Sequence, residues 1–184
     1  NNNNNNNNNI NPINFVRLFI EKCNENNLYF DSFDQNDASE FIYLLIDLLH
    51  KSLKKEISVE IEGEAITDYD KLKLKCYESW RNFFKNDYSY IVETFYSESI
   101  TFTSCNQCDN ININHEPMMI IPLIYKNSLI ESFDEYIKEY KLDLNNSWKC
   151  DNCNKLDTPY QKKIFWDLSS VLILELKQYT SHNK

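Results

Sequence analysis

Four of the six cysteines in this chain stand in two Cys-x-x-Cys pairs, Cys105 with Cys108 and Cys150 with Cys153. Two thiolates separated by two residues can turn onto one metal ion. Two such turns complete a tetrahedral four-sulfur site with no open position, the arrangement of a structural zinc centre. Forty-one residues separate Cys108 from Cys150, more than the short gap of a compact zinc ribbon. The intervening segment must therefore leave and return, as a pair of β-fingers would. Polar residues flank both pairs (Ser104, Asn106 and Gln107; Asp151 and Asn152), as expected of exposed knuckle turns. The plainer accounts are unrelated free thiols or a redox dithiol; the doubling of the motif favours the metal.

The other reactive side chains are less telling. Cys23 lies mid-helix on the apolar side and Cys76 lies in Lys-Cys-Tyr-Glu; both read as small core residues. His50, at a helix end, and His115, in the finger segment, are expected to face solvent, and none of the three histidines sits in the context of a catalytic base. Asp37 and Glu40 open a helix in Gln35-Asn36-Asp37-Ala38-Ser39-Glu40-Phe41, where acidic residues complement the helix dipole.

These residues need a scaffold. The chain has 184 residues, 42% hydrophobic and 14% aromatic, enough for one domain with a real core. Its first nine residues are all Asn and are expected to be disordered. Asn11-Pro12 starts a helix carrying Phe15, Leu18, Phe19 and Cys23 on its apolar side, ended by Asn24–Asn27. Asp34 is expected to cap a second helix with the stripe Phe41, Leu44, Leu45, Leu48 and Leu49. Residues 56–70, with the only glycine, read as a loop, and Leu72 to Phe84 as a third helix. Segments 88–103, 117–125, 160–168 and 171–179 read as strands, and Ser128 with Glu131 as a capping box for a helix to about Tyr140. Helices first and strands afterwards imply an α+β fold.

In this order the motifs gain a family. Gln-Asn-Asp-Ala-Ser-Glu-Phe with Leu44-Leu45 and Leu48-Leu49-His50 resembles the Gln-x-Asp-Ala-x-Glu-Phe helix of ubiquitin-specific proteases. Ile91, Phe95, the first cysteine pair, the helix from Leu129, Trp148-Lys149-Cys150-Asp151-Asn152-Cys153 and a closing Leu176-Lys177-Gln178-Tyr179 follow in that family's order. The resemblance implies a papain-like hand truncated at both ends: part of a helical thumb (10–87), a zinc-bearing finger region (88–160) and the start of a palm (161–184). It implies structural Zn2+ on Cys105, Cys108, Cys150 and Cys153. It also implies that Asp37 and Glu40 face the basic tail of ubiquitin, against the plainer account that they only offset the helix dipole.

The family's catalytic cysteine lies upstream of the Gln-x-Asp-Ala helix and its histidine downstream of the closing strand. Cys23 and His182 lack the matching contexts, so no catalytic residue is assigned. The expected function is that of a fragment of a deubiquitinating cysteine protease, which in the complete domain hydrolyses isopeptide bonds at the ubiquitin C terminus. The alternative is a catalytically inactive, zinc-stabilised ubiquitin-binding module. A formal charge of −9 disfavours a zinc ribbon for nucleic acid and suits a basic partner. No apolar run reaches the ~20 residues of a membrane span. The expected partner is ubiquitin or a ubiquitinated protein, with no nucleic acid and no membrane. A monomer in a reducing intracellular compartment, cytoplasmic or nuclear, is expected.

Overall fold

The computed structural model describes residues 11–30 and 35–178. The Asn run, Asp34, Tyr179 and His182 lie outside the described residues. By internal contacts the chain divides into residues 1–52 and 53–184.

The first unit contains helix α1 (Ile13–Glu25) and most of helix α2 (Ala38–Leu53). Asn11 Oδ1 accepts the backbone N–H of Ile13 at 3.0 Å, beside Pro12, so α1 starts where Asn-Pro predicts. Phe19, Cys23 and Leu44 are the buried core, with Phe41, Leu45 and Leu48 packed against it. Phe19 meets Phe30 and Phe41 edge-on, each at 5.1 Å between ring centroids. Phe15, Leu18 and Leu49, expected on the apolar stripes, are about half exposed. Ile46 and His50, one turn apart on α2, are buried instead. His50 therefore does not face solvent: α2 is apolar on more than one side, and its histidine continues a buried row.

The second unit opens with a loop pinned at its start by two backbone hydrogen bonds between Lys55 and Tyr88, of 2.8 and 3.0 Å. The lone glycine, Gly63, sits in this loop at φ +118°, a conformation that L side chains rarely adopt. Helix α3 (Asp68–Phe84) starts four residues before the expected Leu72. The cause is a capping box: Thr67 Oγ1 accepts the N–H of Asp70, and the Asp70 carboxylate accepts the N–H of Thr67.

The expected strand 88–103 is split. Ser89 caps a short helix α4 (Tyr90–Phe95) through the N–H of Ile91, and strand β1 (Ser97–Ser104) follows. Local capping overrides the strand preference of Ile91 and Val92. β1 turns at the first cysteine pair into antiparallel β2 (Ile111–Met118), with Ile100 opposite His115. The expected strand 117–125 divides between the end of β2 and β3 (Ile120–Ile124). Helix α5 (Leu129–Tyr136) is capped by Ser128 through the N–H of Glu131. It stops short of Tyr140 because strand β4 (Tyr140–Lys141) pairs with β7 (Tyr160–Asp167). Between them, β5 (Trp148–Lys149) and β6 (Leu156–Asp157) form a small antiparallel hairpin around the second cysteine pair. The last strand is β8 (Ile173–Lys177), parallel to β3.

Among the described residues three sheets result: β2-β1-β7-β4, the β3-β8 pair and the β5-β6 pair. β2 is an edge strand, which lets it carry Pro117 without losing a ladder bond in the sheet interior. Val92, Ile100, Met119, Ile121 and Leu123 are buried in this unit. The mixed helix and sheet content agrees with the expected α+β class. Ile100→Ala should cost about 2–5 kcal/mol in urea unfolding, as a cavity in the core of this unit, whereas Leu156→Ala, at a 69% exposed position, should stay within about 0.5 kcal/mol.

Candidate metal centre

Each cysteine pair occupies the turn of its own hairpin, and the two turns are built alike. The N–H of Cys105 donates to the carbonyl of Asn110 at 2.9 Å, and the N–H of Cys150 donates to the carbonyl of Lys155 at 3.0 Å. The residue after each second cysteine, Asp109 or Asn154, adopts a left-handed backbone with φ +54° or +59°. Asp and Asn tolerate that region better than other side-chain-bearing residues, because their short polar side chains bond locally. The chain thus folds each Cys-x-x-Cys into a tight loop with both sulfurs on one side.

The two loops face each other. Cys105 Sγ lies 3.9 Å from Cys153 Sγ, and Cys108 Sγ lies 3.7 Å from Cys150 Sγ. All four sulfurs lie within 4.8 Å of one another. A disulfide needs about 2.0 Å between sulfurs. Zn–S bonds of about 2.3 Å set tetrahedral sulfur–sulfur edges of about 3.8 Å, so the spacing and the all-thiol donor set fit a zinc ion. Hydrogen-bond donors are aimed at the sulfurs as well: the N–H of Gln107 at Cys105 (3.4 Å) and the Asn152 amide at Cys108 (3.5 Å). The Asn152 hydrogen bond pulls the Cys108 thiol down to about 6, favouring the thiolate that a metal requires. Burial pushes Cys105 the other way, up to about 12, so that sulfur loses its proton readily only to a metal.

One supporting residue had no signal in the sequence reading. Asp157, from β6, accepts the backbone N–H of Asn106 at 2.6 Å and its side-chain amide at 3.2 Å, and caps its own strand through the N–H of Thr158 at 2.8 Å. It ties the first knuckle to the second hairpin. These hydrogen bonds, the Asn106 backbone first, hold its carboxyl below the usual range. A lone Asp two residues after Cys153-Asn154-Lys155 is unremarkable in sequence; only the packing of the hairpins gives it a role.

The remaining candidates lie elsewhere. Asp37 Oδ1 caps α2 by accepting the N–H groups of Ser39 (2.6 Å) and Glu40 (3.3 Å), and both acidic side chains are exposed. Cys23 and Cys76 are fully buried, and burial raises both thiols, Cys76 to about 12. Neither has the exposed, lowered thiol of a nucleophile. His115 is a correction: it is buried beneath α3, because β2 turns that face of the strand into the unit.

Asp157→Ala should weaken metal retention by about 10–100-fold in a competition titration with a chromogenic chelator, since outer-shell supports typically carry that much. Cys105, Cys108, Cys150 and Cys153 all remain in that variant, so a full loss would mean that Asp157 holds the hairpin and not merely the knuckle.

The family model for ubiquitin carboxyl-terminal hydrolase matches residues 2–184. The chain is 28% identical over 187 residues to ubiquitin carboxyl-terminal hydrolase 4 of Saccharomyces cerevisiae, covering 92% of this chain and 19% of that protein. It is 24% identical over 164 residues to ubiquitin carboxyl-terminal hydrolase 5 of the same yeast, covering 84% and 20%. The chain thus spans about a fifth of the length of these curated relatives. Among solved structures, a chain from the SAGA DUB module containing Ubp8, Sgf11, Sus1 and Sgf73 superposes with a TM-score of 0.59 at 21% identity, covering 96% of this chain and 35% of that one. That likeness supports the fold, and the family match covers nearly every residue: the chain belongs to the ubiquitin carboxyl-terminal hydrolase family, as part of a ubiquitin-specific protease catalytic domain.

Proposed function

We propose that this chain is the ubiquitin-holding part of a deubiquitinating cysteine protease, with a structural Zn2+ closing the tip of its fingers. The observation that carries the reading is the convergence of four cysteine sulfurs, from hairpins far apart in sequence, at the end of the β2-β1-β7 sheet. Residues 10–87 serve as part of the thumb, 88–160 as the fingers and 161–184 as the start of the palm. The zinc ion holds the knuckles together and takes no part in bond cleavage. Hydrolysis of the isopeptide bond is the work of the complete domain, to which this chain contributes binding.

Two surfaces support that role. One face of the finger sheet, with Thr101, Thr103, Asn114, Glu116 and Lys163, borders an open cavity of about 880 Å3. Its hydroxyl, amide and charged groups suit the polar surface of a folded protein rather than a small apolar ligand. The second surface is the first turn of α2, where Asp37 and Glu40 present carboxylates to an arginine-rich tail. Asp37 uses one oxygen for its cap and keeps the other for a partner. Thiolate ligation by four cysteines fits work in a reducing compartment.

Titration of labelled ubiquitin onto the zinc-loaded chain should saturate below millimolar concentration; no saturation there would remove the reading. Asp37→Asn with Glu40→Gln should weaken binding about two- to fivefold, the scale of exposed charge pairs. Asn caps helices as well as Asp does, so α2 keeps its stability in that variant. Ubiquitin lacking its basic tail should bind wild type and variant equally; a persisting difference would show that the carboxylates act only through the helix.

A further inference from the structure

A second cluster of ligand-type side chains lies away from the finger tip. Cys76 on α3, Glu98 on β1 and His115 on β2 bring a sulfur, a carboxylate oxygen and a ring nitrogen within 4.8 Å of one another. They come from three elements and meet because the strands alternate. Ile100 pairs directly with His115, and Glu98 is two residues before Ile100, so both side chains fall on the sheet face that α3 covers.

This interior is poorly satisfied. The His115 side chain is 10% exposed, and neither ring nitrogen has a hydrogen-bond partner among the described residues. Its Nδ1 stands 3.4 Å from Glu98 Oε1 without the geometry of a hydrogen bond. Buried polar groups in native proteins nearly always have a partner, and an orphan imidazole costs about 1–3 kcal/mol. Glu98 adds a second oddity. It lies directly across the ladder from another carboxylate, Asp167, at a bulge where Trp166 is the extra residue of β7. Opposed like charges destabilise a sheet, and bulges recur where a side chain must be re-aimed. Burial and Asp167 push the Glu98 carboxyl up to about 7, burial and Glu98 push the Cys76 thiol up to about 12, and burial with Lys75 lowers the His115 imidazole. Cys76 and His115 are thus held in their neutral forms, and Glu98 is shifted towards its own, at a site whose arrangement is that of a ligand set.

We propose that Cys76 Sγ, Glu98 and His115 form a second metal site, for a divalent ion of the zinc class. One thiolate, one carboxylate and one neutral imidazole suit zinc, and three protein ligands leave a fourth position for water. The charges close: binding releases the thiol proton of Cys76, and the carboxyl proton of Glu98 where it is held, to solvent. The two negative ligands then balance the dication, so no net charge is buried. The ion satisfies one orphan nitrogen of His115 and offsets the opposition of Glu98 and Asp167. Its place between α3 and the β1-β2 hairpin makes it a clamp at the root of the fingers, separate from the four-cysteine tip.

The test is a metal count on the full chain, loaded with zinc, freed of excess by gel filtration and measured by atomic emission. Two zinc ions per wild-type chain are expected, and one in His115→Phe and in Cys76→Ala. Replacing Cys105, Cys108, Cys150 and Cys153 by Ser should leave the other. His115→Phe fills the same space with an apolar ring and removes the orphan nitrogens, so it should fold even where Cys76→Ala does not. Cobalt loading gives an independent readout: the wild-type minus His115→Phe spectrum should show a weak single-thiolate band beside the intense four-thiolate envelope. One zinc per wild-type chain, or an unchanged count of two in His115→Phe, overturns the proposal.

Discussion

Four sulfurs that arrive as two pairs, 41 residues apart, meet within 4.8 Å of one another, and much of the second unit is arranged around that convergence. The β5-β6 hairpin is only two residues long on each side and has no apolar face of its own. Isolated hairpins of that size are unstable in water. It stands because its knuckle shares a four-sulfur cluster with the knuckle of β1-β2, and because Asp157 bonds across to Asn106. β4 and β7 continue the same path: the N–H of Leu142 reaches the carbonyl of Pro159 at 2.9 Å, joining the excursion back to the main sheet just before β7 begins. The long segment between the cysteine pairs is therefore not slack; it carries β2, β3, α5 and β4 before returning.

The alternation of side chains along β1 and β2 gives the finger sheet two distinct faces. Thr101, Thr103, Asn114 and Glu116 turn to the open cavity with hydroxyl, amide and carboxylate groups, and the buried Thr103 hydroxyl accepts the Gln161 amide. Glu98, Ile100 and His115 turn to α3, where Ile100 is fully buried and His115 nearly so. A one-residue slip in the β1-β2 register would exchange these sets, placing Ile100 in water and Thr101 in the core. The turn that holds Cys105 and Cys108 fixes that register, so the metal cluster at the tip and the chemistry of both faces depend on the same hairpin.

The convergence of the four cysteines was legible because their spacing is itself the signal, and the helix starts at Asn11-Pro12 and Ser128 because capping is local. What escaped the sequence was decided by tertiary packing or by competing local signals. Ile91 and Val92 favour strand, yet the Ser89 cap makes α4 helical. Thr67 and Asp70 spell a capping box that was readable but masked by the acidic composition of the loop. His50 and His115, expected to face solvent from a helix end and from the finger segment, are buried and nearly buried because packing, not chain position, decides their exposure. In Ile111-Asn112-Ile113-Asn114-His115 the histidine occupies the apolar phase of the alternation, which places it on the inner face. Asp157 could not be found at all without knowing that two distant hairpins meet.

The account stands or falls on the link between the finger-tip metal and ubiquitin binding. The direct measurement is calorimetric titration of ubiquitin into the zinc-loaded chain, into the same chain after chelation, and into a Cys150→Ser variant. If zinc builds the surface that holds ubiquitin, the loaded chain binds saturably and both metal-depleted forms lose most of the heat and the affinity, with α2 helicity preserved in circular dichroism. Equal affinity in all three would contradict the account, because it would mean that the four-cysteine site and the ubiquitin-binding surface are independent.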